Sequence, residues 1–546
     1  MSTILARLDA WLSHLTERRV AAGVAVAVFA IVLFLPAFVS LPLTDRDEAR
    51  YAQASRQMAE TGDLIDIRLG AGPRYNKPVG IYWLQSAAVW ITGESREMWV
   101  YRLPSLISAV AASVLTYLIA LSLMGGRVAL LAGLLMASTL TLGAEARIAK
   151  TDATLLATIL LAMWPLGKLY MTGTLARPGL FWVALGVSML IKGPIGVMVA
   201  GSALGVLSIL RRDIGWIAPL GPKSGAAIFV AIVLPWYLAI TFVSGWAFWE
   251  AALIDDFLSK IGEGQESHGA PPGSYLLGVW FTFWPAAILL PLGLRYGWHY
   301  RKEPAVIFCL AWVVPSWIVF ELTATKLLHY VLPLYPALAI LTAAGWLQLS
   351  QAPGRALRIG AALVLAIAIV FVAAPLVFTL RFGGWPGLYW ILGTLILVGG
   401  ALVFWSAFRA GLKYATACAG GLLSIGAMTA VLSSLARFEP LWPANALAAM
   451  ISQMPCPAPR VFSIGYHEAS LIFATSSWPA FTSADVTVAE ASASGCAIVY
   501  VEARHAQEFQ DALGTAVPVE IGRFDGFNMG RAEEISVVAW GFIQDG

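Results

Sequence analysis

The sequence predicts a polytopic, all-α membrane protein of about thirteen transmembrane helices, with helices lying along one membrane face and a small α/β domain at the C-terminus. Three observations carry that prediction. Of 546 residues, 59% are hydrophobic and 12% charged, where a soluble domain carries roughly a quarter charged. Apolar runs long enough to cross a bilayer as a helix, about 20 residues, recur through the first 435 residues. Beyond residue 435 they stop, and a tail with five Arg, no Lys and twelve acids takes over. The 22 Trp and 25 Phe exclude a disordered or fibrous chain, which could not leave that much apolar surface in water. Each of the 67 charged residues that lies near hydrocarbon then needs a partner or a purpose.

In chain order the predicted spans are 20–41, 101–123, 128–144, 153–171, 178–191, 193–210, 224–243, 275–294, 304–322, 327–348, 357–379, 387–408 and 414–434. The first follows a charged segment with Arg7, Arg18 and Arg19 and has no small-residue cleavage site, so it is expected to be a retained helix. The pair 178–191 and 193–210 requires a tight turn at Lys192-Gly193-Pro194. Alternating sides along this list puts sixteen Lys and Arg on one face, from Arg7 to Lys413, against only Asp9, Glu17, Asp213 and Glu303. That face is cytoplasmic by the positive-inside rule, so the N-terminus is inside and the C-terminus outside.

Two outer segments are too long to be simple connections, 42–100 and 244–274. The first holds two amphipathic stretches, 48–58 and 79–91, expected as interfacial helices. The second begins with a Trp- and Phe-rich helix and runs into a polar loop carrying His268. The catalytic membrane domain is therefore set at 1–435 and a soluble outer α/β domain at 436–546. In the tail, 460–466 and 497–502 read as strands, each followed by a helix-permissive stretch, which suggests βα units. Cys456 and Cys496 each stand just before one of these strands. Parallel strand starts can be adjacent, so the two cysteines form a disulfide or remain two thiols.

Five charged constellations fall on the outer face. Thr44 to Tyr51 packs Asp45, Arg46, Asp47, Glu48 and Arg50 at the hydrocarbon boundary, where a carboxylate can act as a general base and an arginine can bind phosphate. The plain alternative is a helix cap and interfacial anchor. Arg74-Tyr75-Asn76-Lys77-Pro78 offers a compact lysine charge for a phosphate, or a snorkelling lysine. Glu145 to Asp152 includes Arg147 and Lys150 between two apolar helices, a further site or a charged cap. Lys192 sits in a turn at the same surface. Lys326, His329 and Tyr330 open the tenth span on one predicted helical face, lining a polar cavity or forming a basic and aromatic belt. A transporter would place polar groups and broken helices near the bilayer midplane. Charges gathered at one headgroup level instead suggest an enzyme acting on a phosphate-bearing lipid. Zinc-protease, CxxC redox, P-loop and serine-hydrolase motifs with usable context are missing from the sequence.

At Asp47-Glu48-Ala49-Arg50-Tyr51-Ala52 with Gly62-Asp63, Lys77-Pro78 with Tyr82-Trp83, Arg147 to Asp152, Lys192-Gly193-Pro194, and Lys326 to Pro336, the chain resembles a known superfamily. It is that of the aminoarabinose transferases (ArnT-like) and protein O-mannosyltransferases, GT-C glycosyltransferases that use polyprenyl-phosphate sugars. The pieces match in order and spacing over most of residues 40–340. The resemblance implies a GT-C fold in the bacterial inner membrane, with the active site and C-terminus periplasmic. It implies inverting transfer from an undecaprenyl-phosphate monosaccharide to lipid A, another lipid-linked glycan, or a protein; a flippase of lipid-linked sugars is the alternative from another class. By carry-over, Asp47 is the catalytic carboxylate and Asp152 a second acid. Arg50, Lys77, Lys192 and Tyr330 bind the phosphate, with Glu48, Arg74, Tyr82, Arg147, His268, Lys326 and His329 as further cavity candidates. Asp47 and His268 are the candidate ligands for a divalent metal, which the reading does not require. Many relatives have an acid where this chain has Asn76, and an arginine where it has Ser267. Expected partners are the lipid-linked donor, a lipid or glycan acceptor and membrane lipids, with no nucleic acid, for a monomer.

Overall fold

A computed structural model describes residues 2–44, 46–258, 269–350, 352–475 and 479–543. Eight of its helices are long and apolar enough to cross a membrane: Met98–Met124, Asp152–Thr172, Pro222–Ser244, Pro304–Leu322, Leu328–Gln348, Arg355–Phe382, Gly387–Arg409 and Lys413–Leu435. Four shorter apolar helices accompany them, Arg19–Phe34, Gly126–Ala137, Gly179–Lys192 and Ile195–Arg211. Large apolar side chains such as Phe242 and Leu380 face outward on two of the long helices, 93% and 87% exposed. That pattern suits a lipid solvent, where outward apolar groups carry no penalty.

Predicted spans 20–41 and 327–348 are α-helical only over Arg19–Phe34 and Tyr335–Gln348, and two further predicted spans are interrupted in mid-run. The run 128–144 divides into Gly126–Ala137 and Leu140–Glu145, and the run 275–294 bends by 116° between Ser274–Thr282 and Ala286–His299. Pro285 cannot donate a backbone hydrogen bond, and its ring disfavours continuing the helix. The two interruptions satisfy each other. The Leu140 amide donates to the Trp284 carbonyl at 2.9 Å, and the Thr141 hydroxyl to the Thr282 carbonyl at 3.0 Å. Broken backbone at membrane depth persists where protein partners replace water in this way.

In the outer segment, helix Asp47–Thr61 is followed by the two-residue antiparallel strands β1 (Arg68–Leu69) and β2 (Gly72–Pro73), then by helix Gly80–Thr92. Both amphipathic stretches are helical, but the first does not lie exposed at the membrane surface. Ala49, Ala52, Ser55 and Gln53 are buried, and the Ser55 hydroxyl donates to Gln85 at 2.6 Å across the two helices. The Asp47 helix is thus a packed element between the spans and the C-terminal region. Arg46, at φ 62°, turns the chain into it, and its own side chain does not cap the helix start.

The C-terminal region forms a four-stranded mixed sheet in the order β3 (Arg460–Ile464), β4 (Cys496–Glu502), β6 (Glu533–Ile543), β5 (Val519–Asn528). β3 and β4 are parallel, and β6 is antiparallel to both of its neighbours. Cys456 and Cys496 are joined in a disulfide with Cα atoms 6.6 Å apart. Helix Ala469–Thr475 seats this region on the Asp47 helix. Phe473 packs edge-on against Tyr101, and its carbonyl accepts from Arg56 at 3.3 Å.

One ion pair ties the outer segment to the spans. Glu48 and Arg102, both with 0% side-chain exposure, meet at 2.8 Å. Glu48 also accepts from the Thr44 amide at 3.1 Å, the Thr44 hydroxyl at 2.8 Å and the Ala149 amide at 2.9 Å. Arg102 in turn donates to the Phe38, Leu41 and Pro42 carbonyls. Replacing one partner leaves a buried charge unmet, so Arg102→Met should destabilise the protein by about 3–5 kcal/mol. Thermal unfolding in detergent measures it, and the double variant with Glu48→Gln should recover most of the loss. An unchanged midpoint for Arg102→Met would show that the pair is not an anchor.

Candidate active site

Five segments of the membrane domain, together with Asp255 and the turn at Met529 and Gly530, line one polar cavity of about 840 Å³ beside the first residue of the Asp47 helix. The helix contributes Asp47, Arg50 and Tyr51, and the loop that follows contributes Arg74 and Lys77. The connection before span Asp152–Thr172 contributes Lys150 and Asp152, the Gly193 turn contributes Lys192, and the start of span Leu328–Gln348 contributes His329 and Tyr330. A second, apolar cavity of about 170 Å³ runs from Lys77, Asp152 and Lys192 toward Met189, Ile195, Trp249, Leu253 and Phe320. Asn76, Lys77, Asp152, Lys192, Thr325, His329 and Tyr330 line both, so the cations stand where polar and apolar spaces meet.

The charges are arranged in a chain of contacts. Lys192 Nζ donates to Asp152 Oδ1 at 2.6 Å and lies 5.2 Å from the Tyr330 ring centroid. His329 bridges two acids, with Nε2 3.7 Å from Asp152 and Nδ1 3.7 Å from Glu145. Lys150 Nζ stands 3.8 Å from Glu145. Enclosure by the protein pushes the Asp47 carboxyl up, although its surface opens to the cavity. The opposing positive charges of Lys150, Arg74, Arg50 and Lys77 prevail and hold it below the usual carboxylate range. Burial works against the charge of Lys150, but Glu145, Asp152 and Asp47 raise its ammonium above the usual lysine value. Arg74 donates to the Tyr82 hydroxyl at 3.2 Å and lies over the Tyr51 ring, 5.2 Å from its centroid. Tyr82, fully buried, therefore acts by orienting Arg74.

Several sequence-based candidates sit elsewhere. Glu48 touches the cavity wall, but its oxygens are committed to Arg102, Thr44 and Ala149, so it is an anchor. Arg147 turns away from the cavity and donates to the Pro36 carbonyl at 2.6 Å, with Gly143 and Leu33 as its other acceptors. Lys326 does not share a helical face with His329. Leu327 is extended, the segment Leu328–Leu334 is a 3₁₀ helix, and Lys326 Nζ donates to the Ala270 carbonyl at 2.9 Å. His268 and Asp45 lie outside the described residues. Conversely, residue type does not single out Lys150, which lines the cavity, Glu145, which contacts Lys150 and His329, or Arg102, which anchors Glu48. The charge run 145–152 was visible, but which of its members face inward depends on the local turn.

Glu145, Asp152 and His329 each offer an atom within 4.8 Å of the others, a spacing that could hold a metal ion. Their charge does not suit a divalent cation. Lys192 and Lys150 already stand against the two carboxylates, so an added ion would face two ammonium groups at the same ligands.

The chain is similar to proteins of known families. The family described as dolichyl-phosphate-mannose-protein mannosyltransferase matches residues 76–238. The undecaprenyl phosphate-α-4-amino-4-deoxy-L-arabinose arabinosyl transferase of Pectobacterium atrosepticum is 30% identical over 413 residues, 70% of each chain. Its counterpart in Pectobacterium carotovorum is 29% identical over the same length and shares. The crystal structure of ArnT from Cupriavidus metallidurans bound to undecaprenyl phosphate superposes with a TM-score of 0.75 at 20% identity, covering 95% of this chain and 97% of that one. The fold and the sequence relationship lead to one assignment: the chain belongs to the undecaprenyl phosphate-4-amino-4-deoxy-L-arabinose arabinosyl transferase family and is a membrane glycosyltransferase.

Proposed function

We propose that the protein transfers a 4-amino-4-deoxy-L-arabinose or closely related monosaccharide from undecaprenyl phosphate to lipid A, with inversion, at the periplasmic face of the inner membrane. The observation that carries this reading is the junction of the two cavities at Lys77 and Lys192. A lipid-phosphate donor has an apolar tail and an anionic head, and a groove of Met189, Ile195, Trp249, Leu253 and Phe320 ending at two lysines complements both. Reading the bent pair and the four shorter helices as further spans gives thirteen, and with a cytoplasmic N-terminus that topology supports a junction at the outer headgroup level.

In the reaction an acceptor oxygen attacks the anomeric carbon as the bond from that carbon to the phosphate oxygen breaks. The electron pair leaves on the lipid phosphate, whose growing charge Lys77, Lys192 and the Tyr330 hydroxyl meet. Fixed cations placed where charge develops stabilise the transition state without reorganising at the moment of reaction. Asp47, ionised because four cations surround it, orients the acceptor and takes its proton if it is a hydroxyl. Asp152 holds Lys192 in place through their 2.6 Å contact. Residues 1–435 supply this machinery, and 436–546 form the outer domain above it.

Purified protein in lipid nanodiscs, given undecaprenyl-phosphate sugar and lipid A, tests the proposal by mass spectrometry of the product. Asp47→Asn should lower kcat by about 10²–10⁴-fold while binding undecaprenyl phosphate nearly as well as wild type. Transfer at the wild-type rate would remove Asp47 from the chemistry. Lys192→Met should lower kcat about 10²–10³-fold, because it removes a charge that acts on the leaving phosphate. A rise in KM alone, with kcat kept, would reduce Lys192 to a ground-state contact.

A further inference from the structure

We propose that the turn between β5 and β6 of the C-terminal sheet, at Met529 and Gly530, forms a wall of the acceptor half of the active-site cavity and selects acceptors by the bulk of their headgroup. The inference rests on the donor and acceptor reading above and assigns the C-terminal domain a part in the reaction.

Four observations place the turn there. Met529 and Gly530 line the polar cavity together with Arg46 and Asp47, whereas among the described residues none beyond Pro333 lines the apolar groove. The turn therefore faces the Asp47 end, away from the donor's tail. It also fits closely against the catalytic segment: a Cβ added at Gly530 would stand 3.1 Å from Arg46 Cγ, one residue before Asp47.

The turn is held in a fixed shape. Asn528, fully buried, donates to Glu468 at 3.3 Å and accepts from the Arg531 amide at 3.1 Å. Arg531 then reaches Glu502 at 3.4 Å, Glu533 at 3.3 Å and the Gly465 carbonyl at 3.3 Å. Such a network of charge-assisted bonds resists rearrangement.

Finally, both sides of the contact carry uncommon backbone. Ala532 has φ 56° and Arg46 has φ 62°, conformations that L-residues adopt at a cost and that tend to gather at functional sites. Phe527 packs on Phe382, with ring centroids 6.1 Å apart, so the hairpin is also braced against a membrane helix. A rigid hairpin supported from both sides can exclude large acceptors, which a mobile loop would not.

The test uses the full-length protein in nanodiscs. Met529→Trp narrows the wall and should raise KM for lipid A about tenfold or more, with kcat and undecaprenyl phosphate affinity within about twofold of wild type. Met529→Ala should leave lipid A KM no higher than wild type and should not change donor affinity. Gly530→Leu, which displaces Arg46, should act in the same direction as Met529→Trp. Melting temperatures equal to wild type separate these effects from misfolding. Acceptor KM unchanged in both enlarging variants, or donor affinity lost in parallel, overturns the inference. Transfer onto the total glycolipid extract of the outer membrane is measured alongside. If wild type modifies the extract but not lipid A, the acceptor named above is wrong, and the inference is judged on whether Met529→Trp selectively slows transfer to the extract.

Discussion

Glu48 and Arg102 hold the site together. A carboxylate and a guanidinium withdrawn from water lose several kcal/mol of hydration apiece, and they persist only where their mutual attraction and further hydrogen bonds offset that loss. Here Glu48 gathers donors from Thr44, Arg102 and Ala149, three separate parts of the chain. Arg102 closes the knot on the carbonyls that end the first apolar run. The start of the Asp47 helix, the outer end of span Met98–Met124 and the connection carrying Lys150 are thereby fixed relative to one another. Asp47 is the residue next to this knot, and its position in the cavity follows from it.

The charges at this level divide by task. Glu48, Arg102, Arg147 and Lys326 are used up on backbone carbonyls, amides and each other, and they shape the protein. Arg50, Arg74, Lys77, Lys150 and Lys192 face a shared cavity with Asp47 and Asp152, leaving it cationic on balance. A cationic cavity at the mouth of an apolar groove stabilises an anion that arrives on a hydrocarbon chain, and stabilises it more as its charge grows. The same excess keeps Asp47 ionised, so one electrostatic arrangement serves both the leaving phosphate and the acceptor.

Much of this was legible in the sequence, for identifiable reasons. Span-length apolar runs mark helices because the bilayer leaves few alternatives, and Asp47, Lys77, Asp152 and Lys192 stand out because charge is scarce there. The breaks at Ser138 and Pro285 were not legible as a pair, since their mutual hydrogen bonds join residues far apart in sequence. Residue type does not rank Arg147 against Lys150, because the turn between them decides which faces inward. Arg102 lay inside an apolar run, where its partner 54 residues away could not be read. The place of the β5–β6 hairpin beside Asp47 depends on how the sheet docks, which no local sequence pattern encodes.

The central claim is that the donor phosphate lies where the two cavities meet. A cryo-EM structure of the protein with undecaprenyl phosphate tests it most directly. The account predicts a phosphate within hydrogen-bond reach of both Lys77 Nζ and Lys192 Nζ, with the polyprenyl chain leaving past Met189 and Phe320. A phosphate bound instead at the Arg46 and Arg50 end, with the apolar groove empty, would contradict it.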